Sequence, residues 1–147
     1  MDTHYLAKDI EAIDKAVTFE ELCQIALVIL SRLGSGVGMV CGPISTGGTG
    51  SKEKNIEIFA KHIEMLRIQG CKIFSQLPFE KVMWRIMKTP YYNNGYQLLD
   101  KFYLPIFESG LVETLYFIPG WKGSLGTTWE HEQAKRLGLQ IIYLDIK

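Results

Sequence analysis

Neither sign of charge is in surplus. Sixteen Lys and Arg balance sixteen Asp and Glu, so no broad basic face is expected and nucleic acid is not an expected partner. Cysteine is scarce and odd in number. Cys23, Cys41 and Cys71 stand in apolar settings without a C-x-x-C pair. They read as reduced core residues, with neither a disulfide frame nor a zinc site, and a cytoplasmic location follows as an expectation. Long hydrophobic runs are missing too. The apolar stretch IALVIL, residues 25–30, has six residues, against the ~20 needed to cross a bilayer. It follows an acidic stretch and no small-residue cleavage site comes after it, so neither a membrane partner nor a signal peptide is expected. His4, His62 and His131 form no H-x-x-x-H set, so no metal is expected. No cofactor is expected either. No repeat or low-complexity tract breaks the chain.

What is there is a chain of 147 residues, 47% apolar, enough for one globular domain with a sizeable core. Residues 1–17 are polar and read as an arm or short helix; residues 18–147 read as a single α/β domain. Thr18 precedes FEELCQIALVILSRLG, a helix with an N-cap, Glu21 at the capping-box position and Gly34 behind it. Apolar side chains run almost all the way round this helix, so it should be buried on more than one side. Two explanations stay open: a cover formed by residues 1–17, or a subunit interface that makes the protein a homo-dimer or higher homo-oligomer.

Short apolar runs then alternate with helical patterns. VGMVC (37–41), CKIFSQ (71–76), LVETLYFI (111–118) and QIIYLDI (140–146) read as strands. Helices are expected over 52–70, where Ile56, Phe59, Ala60, Ile63 and Leu66 recur, and from Pro78 onward. A further helix is expected over 97–110, kinked near Pro105, and another after 126. TPYYNNGY (89–96) is a loop whose sharpest turn signal is Asn94-Gly95. This order predicts a three-layer, doubly wound parallel sheet of four or five strands, Rossmann-like or flavodoxin-like, with an extra N-terminal helix. Ligands of such folds bind beyond the carboxyl ends of the strands. Loops 42–51, 75–79 and 119–126 are expected there.

Two of these loops carry candidate chemistry. GPISTGGTGS (42–51) has four glycines between a strand and a helix. It lacks the G-K-[ST] ending of a P-loop, because Ser51 separates Gly50 from Lys52. Within SLGTTWEHEQA (124–134) a helix begins at Thr-Thr-Trp-Glu, after a proline and three glycines, Pro119, Gly120, Gly123 and Gly126. Thr127 and Glu130 fit a capping box. The same Glu130 is also a carboxylate one turn inside a helix N-terminus, where anions are favoured. Asp100, Glu108 and Glu113 are the other acids of the region. Glu113, inside a predicted strand, suggests an edge or a face turned to solvent.

These motifs resemble those of the nucleoside 2-deoxyribosyltransferase superfamily, which includes 2′-deoxynucleoside 5′-monophosphate N-glycosidases. An apolar strand plus CGPISTGG is similar to the superfamily's strand and small-residue loop. SLGTTWEHEQAKRLGLQIIYL is similar to its S/D-x-G-x-x-x-E, helix, Gly and closing strand. The resemblance covers about residues 37–146. It implies that Glu130 is a nucleophile and that Asp100 is an acid serving the leaving base. It also implies that Ser124 contacts phosphate. Gly42, Pro43, Ile44, Ser45, Gly47, Gly48 and Gly126 would line the substrate, a nucleoside or nucleotide. The superfamily's transferases carry a Tyr in the first strand; Met39 stands near that position.

The chemistry so implied is cleavage of an N-glycosidic bond through a glycosyl–Glu intermediate, with water or a second base taking the sugar. A cytokinin-activating type of nucleotide phosphoribohydrolase is a related alternative, although extra residues lie between Pro119 and Gly126. A non-catalytic nucleotide-binding or sensor domain on the same fold, or a structural interaction module, belongs to a different class.

Overall fold

The structure is a computed structural model that describes residues 4–44, 47–90, 92 and 96–144. The chain falls into two compact units, residues 1–34 with 76–111, and residues 35–75 with 112–147.

The first unit is helical. Helix α1 (Ala7–Lys15) opens without a polar N-cap side chain; instead Asp9 accepts the Leu6 N–H at 2.7 Å. Helix α2 (Phe19–Leu33) starts as its sequence predicts. The Thr18 hydroxyl accepts the Glu21 N–H at 3.1 Å, and Gly34 ends the helix at φ 82°. The Glu21 carboxylate reaches back to the Val17 N–H at 3.2 Å, one residue before the position a capping box uses. Its apolar circumference has a local explanation. Helix α1 packs on α2, and so does the helical stretch 99–108, burying Phe19, Leu22, Cys23, Ala26, Ile29 and Leu30. Among the apolar residues in the middle of the helix only Val28, 54% exposed, points out.

After a 3-10 turn over Leu77–Phe79 comes α4 (Glu80–Met87). The expected kink at Pro105 takes a particular form. An α-turn α5 (Tyr96–Leu98) passes into a π-helical stretch, Leu99–Tyr103, and then into α6 (Leu104–Glu108). Proline has no N–H to give and its ring crowds the preceding turn. The wider turn, in which Leu104 N–H reaches back to Leu99 O, makes room for it. Asn94-Gly95 lies outside the described residues.

The second unit is a four-stranded, all-parallel sheet in the order β2-β1-β3-β4. Its strands are β1 (Val37–Cys41), β2 (Lys72–Ile73), β3 (Thr114–Phe117) and β4 (Gln140–Tyr143). Every residue of β1 is buried, as expected of an inner parallel strand covered on both faces. The pairing of β2 is shorter than residues 71–76 would allow, although Phe74 N–H still reaches Gly38 O at 2.9 Å. Glu113 precedes β3 and is exposed; its carboxylate accepts the Gly36 N–H.

Helix α3 (Lys52–Ile68) joins β1 to β2, and α7 (Leu125–Leu137) joins β3 to β4. These connections run in opposite directions across the sheet. Right-handed crossovers therefore place the two helices on opposite faces. This is the α/β, doubly wound, flavodoxin-like arrangement, and its strand order reverses between β1 and β3.

Two sequence expectations need correction. The buried row of α3 is Asn55, Phe59, Ile63 and Leu66; Ile56 is half-buried and Ala60 is exposed. The N-cap of α7 is Ser124, not Thr127. Its hydroxyl accepts the Thr127 N–H at 3.3 Å. Glu130 therefore lies at the sixth helical position, too far in to close a capping box.

Candidate functional site

The carboxyl ends of β1 and β3 lead into the two loops of interest. Asn55 organises the first. Its amide donates to Ile44 O at 3.0 Å and Gly47 O at 3.2 Å, and its Oδ1 accepts the Thr49 N–H at 2.9 Å. The Thr49 hydroxyl lies 2.9 Å from the same oxygen. All four hydrogen-bonding positions of the Asn55 amide are thus engaged with the glycine-rich loop. Asn55 escaped the sequence reading, yet its signal was present: a polar residue at the head of the Phe59, Ile63, Leu66 row.

The two loops touch. A Cβ on Gly47, at φ +70°, would lie 2.5 Å from Gly123 O and 3.1 Å from Ser124 N. On Gly48 it would meet Asn55 Oδ1 at 2.6 Å. Only glycine permits this approach of backbone to backbone. Between the loops is a cavity of 230 Å³. Pro43, Gly48 and Thr49 line it from the first loop, Asn55 and Ile58 from α3, and Ile118, Pro119 and Gly120 from the second. None of these walls carries an ionisable side chain. A larger cavity, 550 Å³, follows α3 past Ile58 to Tyr143 and Leu144 and contains none of the predicted site residues.

Helix α7 turns a polar row inward. Ser124, Thr127 and Glu130 are buried, 6% of Glu130 remaining exposed, while Leu125 is 68% exposed. The spacing of three puts them on one side of the helix. The Thr127 hydroxyl meets the Ser124 hydroxyl at 3.0 Å. Glu130 lies near Cys41, the last residue of β1. Burial and the adjacent Glu130 carboxylate push the Cys41 thiol well up, so it stays protonated. The next residue, His131, stacks on Trp121 at 4.3 Å and meets the Tyr143 hydroxyl at 2.6 Å. Burial, Lys135 and Lys122 lower its pKa against the opposing pull of Glu132.

A family profile described as "Domain of unknown function (DUF4406)" matches residues 39–143, well over half of the chain. The chain belongs to the DUF4406 family. No curated protein and no solved structure matches it. The DUF4406 match takes in both loops, Asn55, Asp100 and all of α7, and leaves α1 and α2 outside.

Within the DUF4406 segment the predicted residues divide. Gly42, Pro43, Gly47, Gly48 and Ser124 belong to the two loops just described, Ile44 supplies a carbonyl to Asn55, and Gly126 is the second residue of α7. Glu130 joins them through Cys41, next to Gly42. Neither Glu130 nor Ser124 lines the 230 Å³ cavity. Asp100 belongs to the other unit, where it is exposed within the π-helical stretch. Ser45 lies outside the described residues. Among the described residues, no group of three or more His, Cys, Asp or Glu is arranged to hold a metal ion. No described helix is long and apolar enough to cross a membrane.

Proposed function

We propose that this protein cleaves the N-glycosidic bond of a deoxynucleoside 5′-monophosphate, with Glu130 as the nucleophile. One observation carries the reading: Glu130 is buried on the inward row of α7, beside the end of β1, and is not a helix cap. A carboxylate taken out of water without a capping task needs another reason to be there. The switch point between β1 and β3 supplies one, because ligands of this fold class bind there.

In this reading a Glu130 carboxylate oxygen attacks the anomeric carbon as the C1′–N bond breaks. The bonding pair leaves with the base, which takes a proton from an acid. Water then cleaves the glycosyl ester, or a second base takes the sugar. The 5′-phosphate sits at the start of α7, where Ser124 and the first-turn N–H groups favour an anion. A homo-oligomer belongs to the same proposal; sedimentation showing only a 16.7 kDa species would remove it.

A nucleotide sensor without chemistry is the second reading. It is favoured by the cavity's uncharged walls and by the absence of Glu130 from them. The test offers nucleosides and 5′-monophosphates of each base and reads free base by chromatography, with a melting curve for each ligand. Base release from monophosphates, with Ser124→Asp shifting preference toward nucleosides, is the expected result. Thermal stabilisation without any base release would replace the enzyme by the sensor.

A further inference from the structure

The sheet has two edges, and they are finished differently. Strand β2, at one edge, has two residues, and one of them, Lys72, is exposed and charged. A very short strand carrying a lysine discourages further pairing. Strand β4, at the other edge, has four residues, Gln140, Ile141, Ile142 and Tyr143, with no charge and no proline among them. They pair with β3 in unbroken register. Ile141 and Ile142 are half-buried and Tyr143 is 56% exposed, so apolar surface stays open on both sides of the strand. The backbone is open too. The N–H groups of Gln140 and Leu144 reach Glu113 O and Phe117 O, on the β3 side, at 3.0 and 2.9 Å. Successive residues of a strand turn their N–H and C=O groups to opposite edges, so those of Ile141 and Tyr143 point away from the sheet. Among the described residues, these outward groups have no partner.

We propose that β4 joins two copies of this chain, paired antiparallel about a two-fold axis at Ile142 into one continuous sheet. The inference rests on the homo-oligomer proposed above and gives it a surface. The apolar face of α2, where the sequence suggested an interface, is already taken up by α1 and residues 99–108. Strand β4 is self-complementary in this arrangement. With Ile142 on the axis, Ile141 of each copy lies opposite Tyr143 of the other. These are the residues whose N–H and C=O point outward, so each such pair exchanges both its hydrogen bonds. A slip of one residue would set outward groups against inward ones. The side chains agree as well. Tyr143 shares a sheet face with Phe117, its partner in β3, and Ile141, two residues away, shares that face. A β-branched side chain therefore meets an aromatic one there, and Ile142 meets its own copy on the other face, pairs that stabilise neighbouring strands. No like charges face each other, because β4 carries none. A foreign strand would meet the same backbone groups; a second copy also matches the side chains residue for residue.

Amide hydrogen exchange, read residue by residue by NMR on the full chain at high and low concentration, tests the pairing directly. The Ile141 and Tyr143 amides should exchange slowly when the protein is concentrated and quickly on dilution. The Gln140 and Ile142 amides, which face β3, should keep their protection at both. Sedimentation of the concentrated protein should show a species of twice 16.7 kDa. Ile141→Pro removes an outward N–H and no bond to β3. It should sediment at 16.7 kDa with an unchanged circular dichroism spectrum, whereas Ile141→Val, which keeps the N–H, should stay paired. Should Ile141→Pro fail to fold, the exchange measurement on the unaltered protein decides. Ile141 and Tyr143 amides that exchange quickly at every concentration overturn the inference. So does a folded Ile141→Pro protein that keeps the doubled mass. Either result in a protein that still associates leaves the homo-oligomer standing on another surface. An unaltered protein found only at 16.7 kDa removes both. Neither measurement reads base release, so the proposed chemistry is decided separately.

Discussion

Each unit of this protein buries a carboxylate, and they are held in different ways. Asp9, in the helical unit, is 5% exposed and meets the Arg32 guanidinium through both oxygens, one at 3.2 Å. It also ties down the first turn of α1 through the Leu6 N–H. Its charge is matched and its geometry is spent on structure. Glu130, in the sheet unit, is 6% exposed and meets a neutral thiol. Two carboxylates of nearly equal burial thus have different neighbours: the Arg32 guanidinium makes Asp9 part of the framework, while Glu130 lies beside the Cys41 thiol. The rest of the buried polar set follows the same division. Asn55, Ser75, Thr114, Ser124 and Thr127 all belong to the sheet unit, and Gln76 joins Asp9 in the helical one.

The sharpest way to break the comparison is to remove the organiser of the glycine-rich loop. Asn55→Ala frees two carbonyls and an N–H that have no alternative partner in the side chain that replaces it. The expected loss is about 3 kcal/mol, at the rate of about 1–3 kcal/mol for a buried polar group left unpaired. Urea unfolding measures it, and nucleotide-induced stabilisation should vanish with it.

Next in size is the ion pair. Arg32→Met leaves Asp9 buried without its cation. A fully buried pair would cost about 3–5 kcal/mol to break; with the Arg32 side chain 32% exposed, about 1–2 kcal/mol is expected. Base release should be untouched. The pH dependence gives a second check. Burial works against the charged Asp9, but the Arg32 bond, the Leu6 N–H and the fields of Arg32 and Lys8 outweigh it and leave the pKa lowered from 3.8. A carboxylate so lowered stabilises the fold above the unfolded pKa and loses that contribution as pH falls through the folded one. Below about pH 4 the native protein should lose stability faster than Arg32→Met.

The smallest effect belongs to His131. Its pKa is lowered from 6.5 in the fold, so between the two values the unfolded chain binds more protons than the native one. Stability should therefore fall as pH drops below about 6.5, by under ~1 kcal/mol. His131→Phe keeps an aromatic ring against Trp121 and should flatten that slope. A slope left intact in His131→Phe would mean that another group causes it.

Much of this was legible beforehand because local rules and the fold agree. Thr18, Glu21 and Gly34 mark the ends of α2, and VGMVC is β1 residue for residue. The glycine-rich loop and Glu130 were singled out by their place between strand and helix. What stayed hidden depended on tertiary partners. SLGTTWE offers two possible caps three residues apart, and local pattern alone does not choose between Ser124 and Thr127. The choice moves Glu130 from a cap to a buried site. Asn55 looks like any helical surface polar residue until the loop folds over it. Cys41 reads as a core thiol until α7 brings a carboxylate to it. In each case a polar residue occupied a position that hydrophobic periodicity had counted as core or ignored.

The most direct test of the central claim compares Glu130→Gln with the unaltered protein in two measurements on the same samples. Thermal melting asks whether Glu130 supports the fold, and base release from 5′-monophosphates asks whether it does chemistry. With Ser124 as the cap, Gln at 130 should shift stability by about 1 kcal/mol or less. Base release should fall at least a thousandfold, because a neutral amide does not attack the anomeric carbon. A Glu130→Gln protein that melts several degrees lower yet releases base at the original rate would contradict the account.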